Sequence, residues 1–173
     1  MQTPSGKLAK HDSLVVVLDT VAILSGICER LPLRSLPDGA RPDVLRLDRL
    51  RNILFIGDAK NSETSGDRAT QLRLRTYLSW LAAFLRRGGC GVFGLCFEHA
   101  TSATGWVDTV LMLTNELSMS PPDFDVRFFP PNVTLVRFVW NKSVLTVPLS
   151  NTCPCVHEHD PAHPRHMKSH STA

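Results

Sequence analysis

The chain has little of what would mark it as membrane-spanning, secreted or built on a nucleotide-binding loop. Its apolar stretch at residues 14–24 is interrupted by Asp19 and Thr20 and falls far short of the ~20 residues that a bilayer span needs. Lys7 and Lys10 ahead of that stretch imitate a signal peptide, but no clear small-residue cleavage site follows. Five cysteines are an odd number without framework spacing, which reads as reduced thiols rather than a disulfide scaffold. The expected compartment is therefore the cytoplasm, and the sequons at Asn132 and Asn141 carry no meaning there. No strong excess of one charge is present: 19 Lys+Arg face 16 Asp+Glu, for a net +3. That balance permits a polyanionic partner without demanding one. No phosphate-cradling loop appears, because Gly88-Gly89-Cys90-Gly91 follows a helix rather than a strand. No internal repeat is visible.

What is there is an ordinary globular composition, 43% hydrophobic and 20% charged over 173 residues. It excludes a disordered, collagenous or multi-span chain. One domain of this length buries roughly 70% of its unfolded surface, so folding needs no metal or disulfide. Residues 1–10 are polar and expected to be flexible, and residues 11–149 form a single domain. Residues 150–173 hold five of the seven histidines and two cysteines with almost no apolar side chains. They read as a disordered Cys/His-rich tail.

Within the domain, Leu14, Val17, Leu18, Val21, Leu24 and Cys28 recur at helical spacing after the capping residues Asp12 and Ser13, and Pro32 ends that helix. Residues 33–36 are expected as a short strand before a Pro37-Asp38-Gly39 turn. Val44, Leu45 and Leu47 predict a second strand, and residues 48–52 a hairpin loop. Residues 53–56 are a continuous apolar run typical of a strand covered on both faces. A long helix from a cap at Thr64 or Ser65 to about Arg87 buries Leu74, Leu78, Leu81 and Leu85 and stops at Gly88-Gly89. Then follow a strand over 92–97, a helix over 104–119 ended by Pro121-Pro122, and strands over 124–129, 133–140 and 144–149. Strands separated by helices predict an α/β or α+β sheet.

One constellation carries chemistry. Asp43, after Pro42, opens one strand of the expected hairpin, and Asp58 closes the other. Antiparallel pairing sets the two carboxylates side by side, and the two-residue repeat puts Asp58 and Lys60 on one face. Two carboxylates and the backbone carbonyl of Ala59 make an oxygen-rich site for Mg²⁺ or Mn²⁺, which retain several waters. A metal there lowers the pKa of bound water and neutralises charge building on a phosphate. A lysine beside it orients the attacking water or steadies the phosphate.

Pro42-Asp43, a hairpin and then Asp58-Ala59-Lys60 resemble the motif of the PD-(D/E)XK nuclease superfamily. The resemblance spans roughly residues 10–98. It implies a restriction-endonuclease-like α/β core: helix, three-strand meander, helix and strand, in a mixed sheet flanked by helices, here with an extra C-terminal helix and strands. It also implies metal-dependent hydrolysis of phosphodiester bonds in DNA, with Asp43, Asp58, Lys60 and Gln71 as catalytic residues. Asp43, Asp58 and the Ala59 carbonyl would hold the metal. Gln71 lies closest to the leucine face within the stripe Arg68, Gln71, Arg75, and similar nucleases place a polar residue there. Some branches carry Gln followed four residues later by Tyr, whereas this chain has Arg75 at that spacing and Tyr77 two residues beyond. Many similar nucleases carry a further acid on the first helix. Asp19, mid-helix where an unpaired carboxylate would be costly to bury, is the choice over Asp12 and Glu29.

Arg46, Arg49 and Arg51 around the hairpin, and Arg68, Arg73 and Arg75 on the following helix, are expected to adjoin this site as a local basic groove for DNA. Cleavage of a duplex by two active sites would suit a homodimer, and no membrane is expected as partner. Cys90 and Cys96 read as buried small hydrophobes. Glu98 and His99 end a strand where ligands gather in parallel sheets, and the tail cysteines and histidines as adventitious metal binders. Two rivals stand beside the nuclease: a degenerate member kept as a DNA- or protein-binding module, and an unrelated α/β protein whose Asp-Ala-Lys is coincidental.

Overall fold

Ile53–Lys60 and Cys90–Phe97 are buried along their whole length and lie parallel at the centre of a six-stranded sheet. The computed structural model describes residues 4–32, 41–60, 68–98, 103–130 and 132–141. In chain order the elements are α1 (Pro4–Leu24), β1 (Glu29–Arg30), β2 (Val44–Asp48), β3 (Ile53–Lys60), α2 (Arg68–Arg86), β4 (Cys90–Phe97), α3 (Ala103–Glu116), β5 (Asp123–Phe129) and β6 (Val133–Trp140). The sheet runs β1-β2-β3-β4-β6-β5. Every neighbouring pair is antiparallel except β3 and β4. A parallel pair needs a crossover, and α2 supplies it.

Alternation along the central strands sorts the core into two layers. Leu54, Ile56, Phe93, Leu95 and Phe138 face α2 and α3, where they meet Leu74, Leu78, Leu81, Trp106 and Val110. Ile53, Phe55, Val92 and Cys96 face α1 and meet Leu14, Leu18 and Ala22. The α1 layer is tight because Gly94 leaves room for Leu18: a Cβ on Gly94 would lie 2.9 Å from Leu18 Cδ2. The protein is thus α/β, with a mixed open sheet and helices on both faces.

Several expectations need correction. The helix begins at Pro4, inside the segment taken as a flexible N-terminus, and proline suits the first helical turn. It ends at Leu24 rather than near Pro32. Gly26 takes a left-handed φ of 85°, and the Ile27 N–H closes on the Ala22 carbonyl at 2.9 Å, a glycine stop that precedes the proline. The buried stripe is accordingly Leu14, Leu18 and Ala22, while Leu24 is 76% exposed. Strand β1, two exposed polar residues, has no periodicity to find. Strand β3 runs past Asp58, expected to close it, to Lys60. Cys90 and Cys96 are buried free thiols, but Cys28 is not a free thiol, so the reading of all five cysteines as reduced does not stand. The strand and turn expected over 33–39, the cap at Thr64 or Ser65, His99, the strand over 144–149 and the tail lie outside the described residues.

Candidate functional site

The register pairs Val44 with Gly57, so Asp43, one residue before β2, comes opposite Asp58 near the end of β3. The Asp43 side chain closes the ladder at this point: its Oδ2 accepts the Ala59 N–H at 2.7 Å. Asp58 and Lys60 share the α2 face of β3, as their spacing requires, and both are buried. Lys60 Nζ stands 2.6 Å from Asp58 Oδ2, yet that oxygen makes no aligned hydrogen bond. The contact is an ion pair rather than a directed bond. Burial pushes the Asp58 carboxyl up to about 7; Lys60 works against the shift and the neighbouring Asp43 carboxyl adds to it.

Two further side chains join this end of the sheet. Tyr77, fully buried on α2, donates its hydroxyl to the Arg41 carbonyl at 3.0 Å and so ties down the segment that delivers Asp43. Burial raises the Tyr77 phenol well above its usual range, and the Asp58 charge adds to the rise. From α1, His11 Nε2 reaches within 3.5 Å of Asp43 Oδ2, and Lys10 pairs with Glu98 beyond β4 at 3.3 Å. Sequence reasoning missed both. His11 sits in the polar lead-in, where nothing in the residue pattern reveals that the helix overhangs the strand ends. Tyr77 shows only as one more apolar position in the leucine stripe.

Of the other expected site residues, Gln71 is half-buried near the start of α2, the end of that helix which follows the exit of β3. Asp19 faces the far part of β2 and accepts two bonds from the buried Arg46, at 2.6 and 2.8 Å. Its carboxyl is held below the ordinary range, chiefly by the Arg46 hydrogen bond and against the effect of burial. It is a charge partner there on the α1 face of β2, whereas Asp58 and Lys60 lie on the α2 face of β3.

The hairpin arginines do not adjoin the site. An antiparallel hairpin puts its turn at the end opposite the entry of β2 and the exit of β3, about 16 Å away over five residues of strand. There Arg49 binds Glu29 at 2.7 and 2.8 Å, while Arg51 binds Asp48 at 2.5 Å and the Ser25 carbonyl at 2.7 Å. The basic residues on the site side are those of α2. Arg68 and Arg73 are exposed, and Arg75 pairs with Glu116 of α3.

Among the described residues no three His, Cys, Asp or Glu side chains gather as a metal cluster. A cation at this end would take Asp43, Asp58 and the Ala59 carbonyl and complete its shell with water, an arrangement that Mg²⁺ accepts. The donor chemistry fits such an ion, since Asp58 Oδ2 is buried with no aligned donor and a second carboxyl lies beside it. No family model matches the chain, nor does any curated protein or solved structure. No helix among the described residues is long and apolar enough to cross a membrane.

Proposed function

We propose that the chain is a metal-dependent nuclease that hydrolyses phosphodiester bonds in DNA, built on a core of the PD-(D/E)XK type. The order of elements supports it: α1, the β1–β2–β3 meander, the α2 crossover and β4 parallel to β3, with α1 and α2 on opposite faces. The observation that carries it is the buried Asp58, held against Lys60 and beside Asp43 where β3 ends. A buried carboxylate with a second, half-buried one beside it is costly unless positive charge answers both, and Lys60 is paired with only one of them. Bound Mg²⁺ or Mn²⁺ would supply an acidified water and neutralise charge on the phosphate. The protein's own part is to fix Asp43 through Ala59 N–H, anchor its segment through Tyr77, and hold Lys60 toward the attacked phosphate. Arg68 and Arg73, exposed on α2, would face the DNA backbone.

Calorimetric titration with Mn²⁺ tests the site, paired with cleavage of labelled DNA. Asp58→Asn should abolish metal binding. Lys60→Ala should retain it while slowing cleavage by roughly 10²–10³-fold, the loss seen when one charge-stabilising donor is removed. Metal affinity unchanged in Asp58→Asn would overturn the assignment. A second reading, a nuclease-type core retained only for binding, is favoured by the engagement of Asp19 with Arg46, which leaves α1 without the extra acid. Metal and DNA binding without cleavage by the parent protein would select it.

A further inference from the structure

A cavity of about 290 Å³ opens between α1 and the outer edge of β2, and it joins the site at Asp43. Strand β1 ends at Arg30, where it pairs with Arg46, and the Leu31 N–H closes on the Leu45 carbonyl. Val15, Val16 and Asp19 from α1, Arg30 from β1, and Asp43 and Val44 from β2 line the space.

Its charges are arranged unevenly. The Asp19 carboxylate is already neutralised by two bonds from Arg46. Arg30 touches it only at 3.4 Å, with a side chain 73% exposed. One guanidinium charge is therefore left over at one end of the cavity, while the Asp43 carboxylate stands at the other. Arg30 pairs in register with a residue three positions from Asp43, about 10 Å along the strand. Between them lie the apolar faces of Val15, Val16 and Val44.

We propose that this cavity holds the strand adjoining the scissile bond, with a phosphate on Arg30 and the sugar or base against Val15 and Val16, so that the enzyme engages a single strand or a strand end. The inference rests on the nuclease reading. A guanidinium with spare donors is suited to a phosphate, and a cavity of about 290 Å³ admits part of one unpaired strand but not a paired duplex.

Fluorescence anisotropy with a labelled oligodeoxythymidylate and a hairpin duplex of equal length, in Ca²⁺, tests it. Arg30→Ala should weaken single-strand binding about tenfold, the worth of one charge-assisted phosphate contact, and reduce its salt slope by about 0.7. Binding of the duplex should be unaffected and the Tm should hold. Val16→Glu, at a 62% exposed position, should weaken the single strand similarly by placing a like charge in the cavity. Full oligonucleotide affinity in both variants overturns the cavity assignment, and if Asp58→Asn still loses metal, the nuclease reading survives it. A parent protein that binds neither probe overturns both.

Discussion

The two ends of the β2–β3 pair carry buried charge and treat it in opposite ways. From the middle of β2 to the hairpin the charges are paired with one another, although Arg51 Nη1 is buried without an acceptor. Arg46 gives Nε and Nη2 to Asp19 and Nη1 to the Cys28 carbonyl at 2.5 Å, and Asp48 receives both the side chain and the backbone N–H of Arg51. The Asp19 carboxyl is accordingly held below its ordinary range. At the open end Asp58 is more deeply buried, has one lysine for company and another carboxyl beside it, and is pushed up to about 7. The same residue types on the same two strands make a structural clamp at one end and an incomplete shell at the other. The difference is where their partners lie: the clamp draws on α1 and β1, whereas Asp58 has Lys60 and Asp43 beside it among the described residues.

The largest effect should come from breaking the clamp. Arg46→Met leaves Asp19, 21% exposed, with only the longer Arg30 contact, which places the cost at the low end of the about 3–5 kcal/mol typical of losing one partner of a buried ion pair. For a domain of this size that amounts to a Tm fall of roughly 10 °C, read by thermal denaturation. Metal affinity of the protein still folded at 20 °C should match the parent. A weaker metal site in this variant, or in Asp19→Asn, would show that the clamp and the open end are one unit.

The open end should answer to pH instead. A carboxyl whose folded pKa is raised binds its proton more tightly folded than unfolded, so its share of stability is complete below the unfolded value and is lost as pH rises through about 7. We expect chemical denaturation of the metal-free protein to show stability declining between about pH 4 and 7, and Asp58→Asn to flatten that decline. Metal binding should release protons when measured near neutral pH, because the ligand must first ionise. A parent curve with the opposite slope would mean that Asp58 is charged throughout and fully answered by Lys60.

Much of this contrast was legible in the residues, and the reasons are particular. Continuous apolar runs mark β3 and β4 because both faces are covered, and the leucine spacing marks α2. Pro42-Asp43 and Asp58-Ala59-Lys60 locate the open end, since antiparallel pairing fixes who stands opposite whom. What local pattern does not carry is partnership across the fold. Asp19 looked like an extra ligand because a mid-helix acid needs a partner, and only the packing of α1 on β2 shows that the partner is Arg46. The hairpin arginines were expected beside the site although a hairpin turn lies at the opposite end, a consequence of topology rather than composition. His11 and Tyr77 reach the site through the overhang of one helix and the depth of another, and neither leaves a trace in sequence spacing.

The smallest effect should be at Arg49, and it sharpens the contrast by being nearly absent. Arg49 and Glu29 form a two-bond pair at the hairpin end, but their side chains are 69% and 42% exposed. Water and salt screen such a pair, and holding two long side chains in one geometry offsets most of the attraction. Glu29 and Arg30 are neighbours on β1 whose side chains take opposite faces, so Glu29 meets Arg49 while Arg30 turns to Asp19 and the cavity. Arg49→Ala should therefore leave the Tm and the salt slope of oligodeoxythymidylate binding unchanged, where Arg30→Ala lowers that slope by about 0.7. Equal reductions in the two variants would mean that nucleic acid wraps the hairpin end as well, and the division between a closed end and an open one would fail.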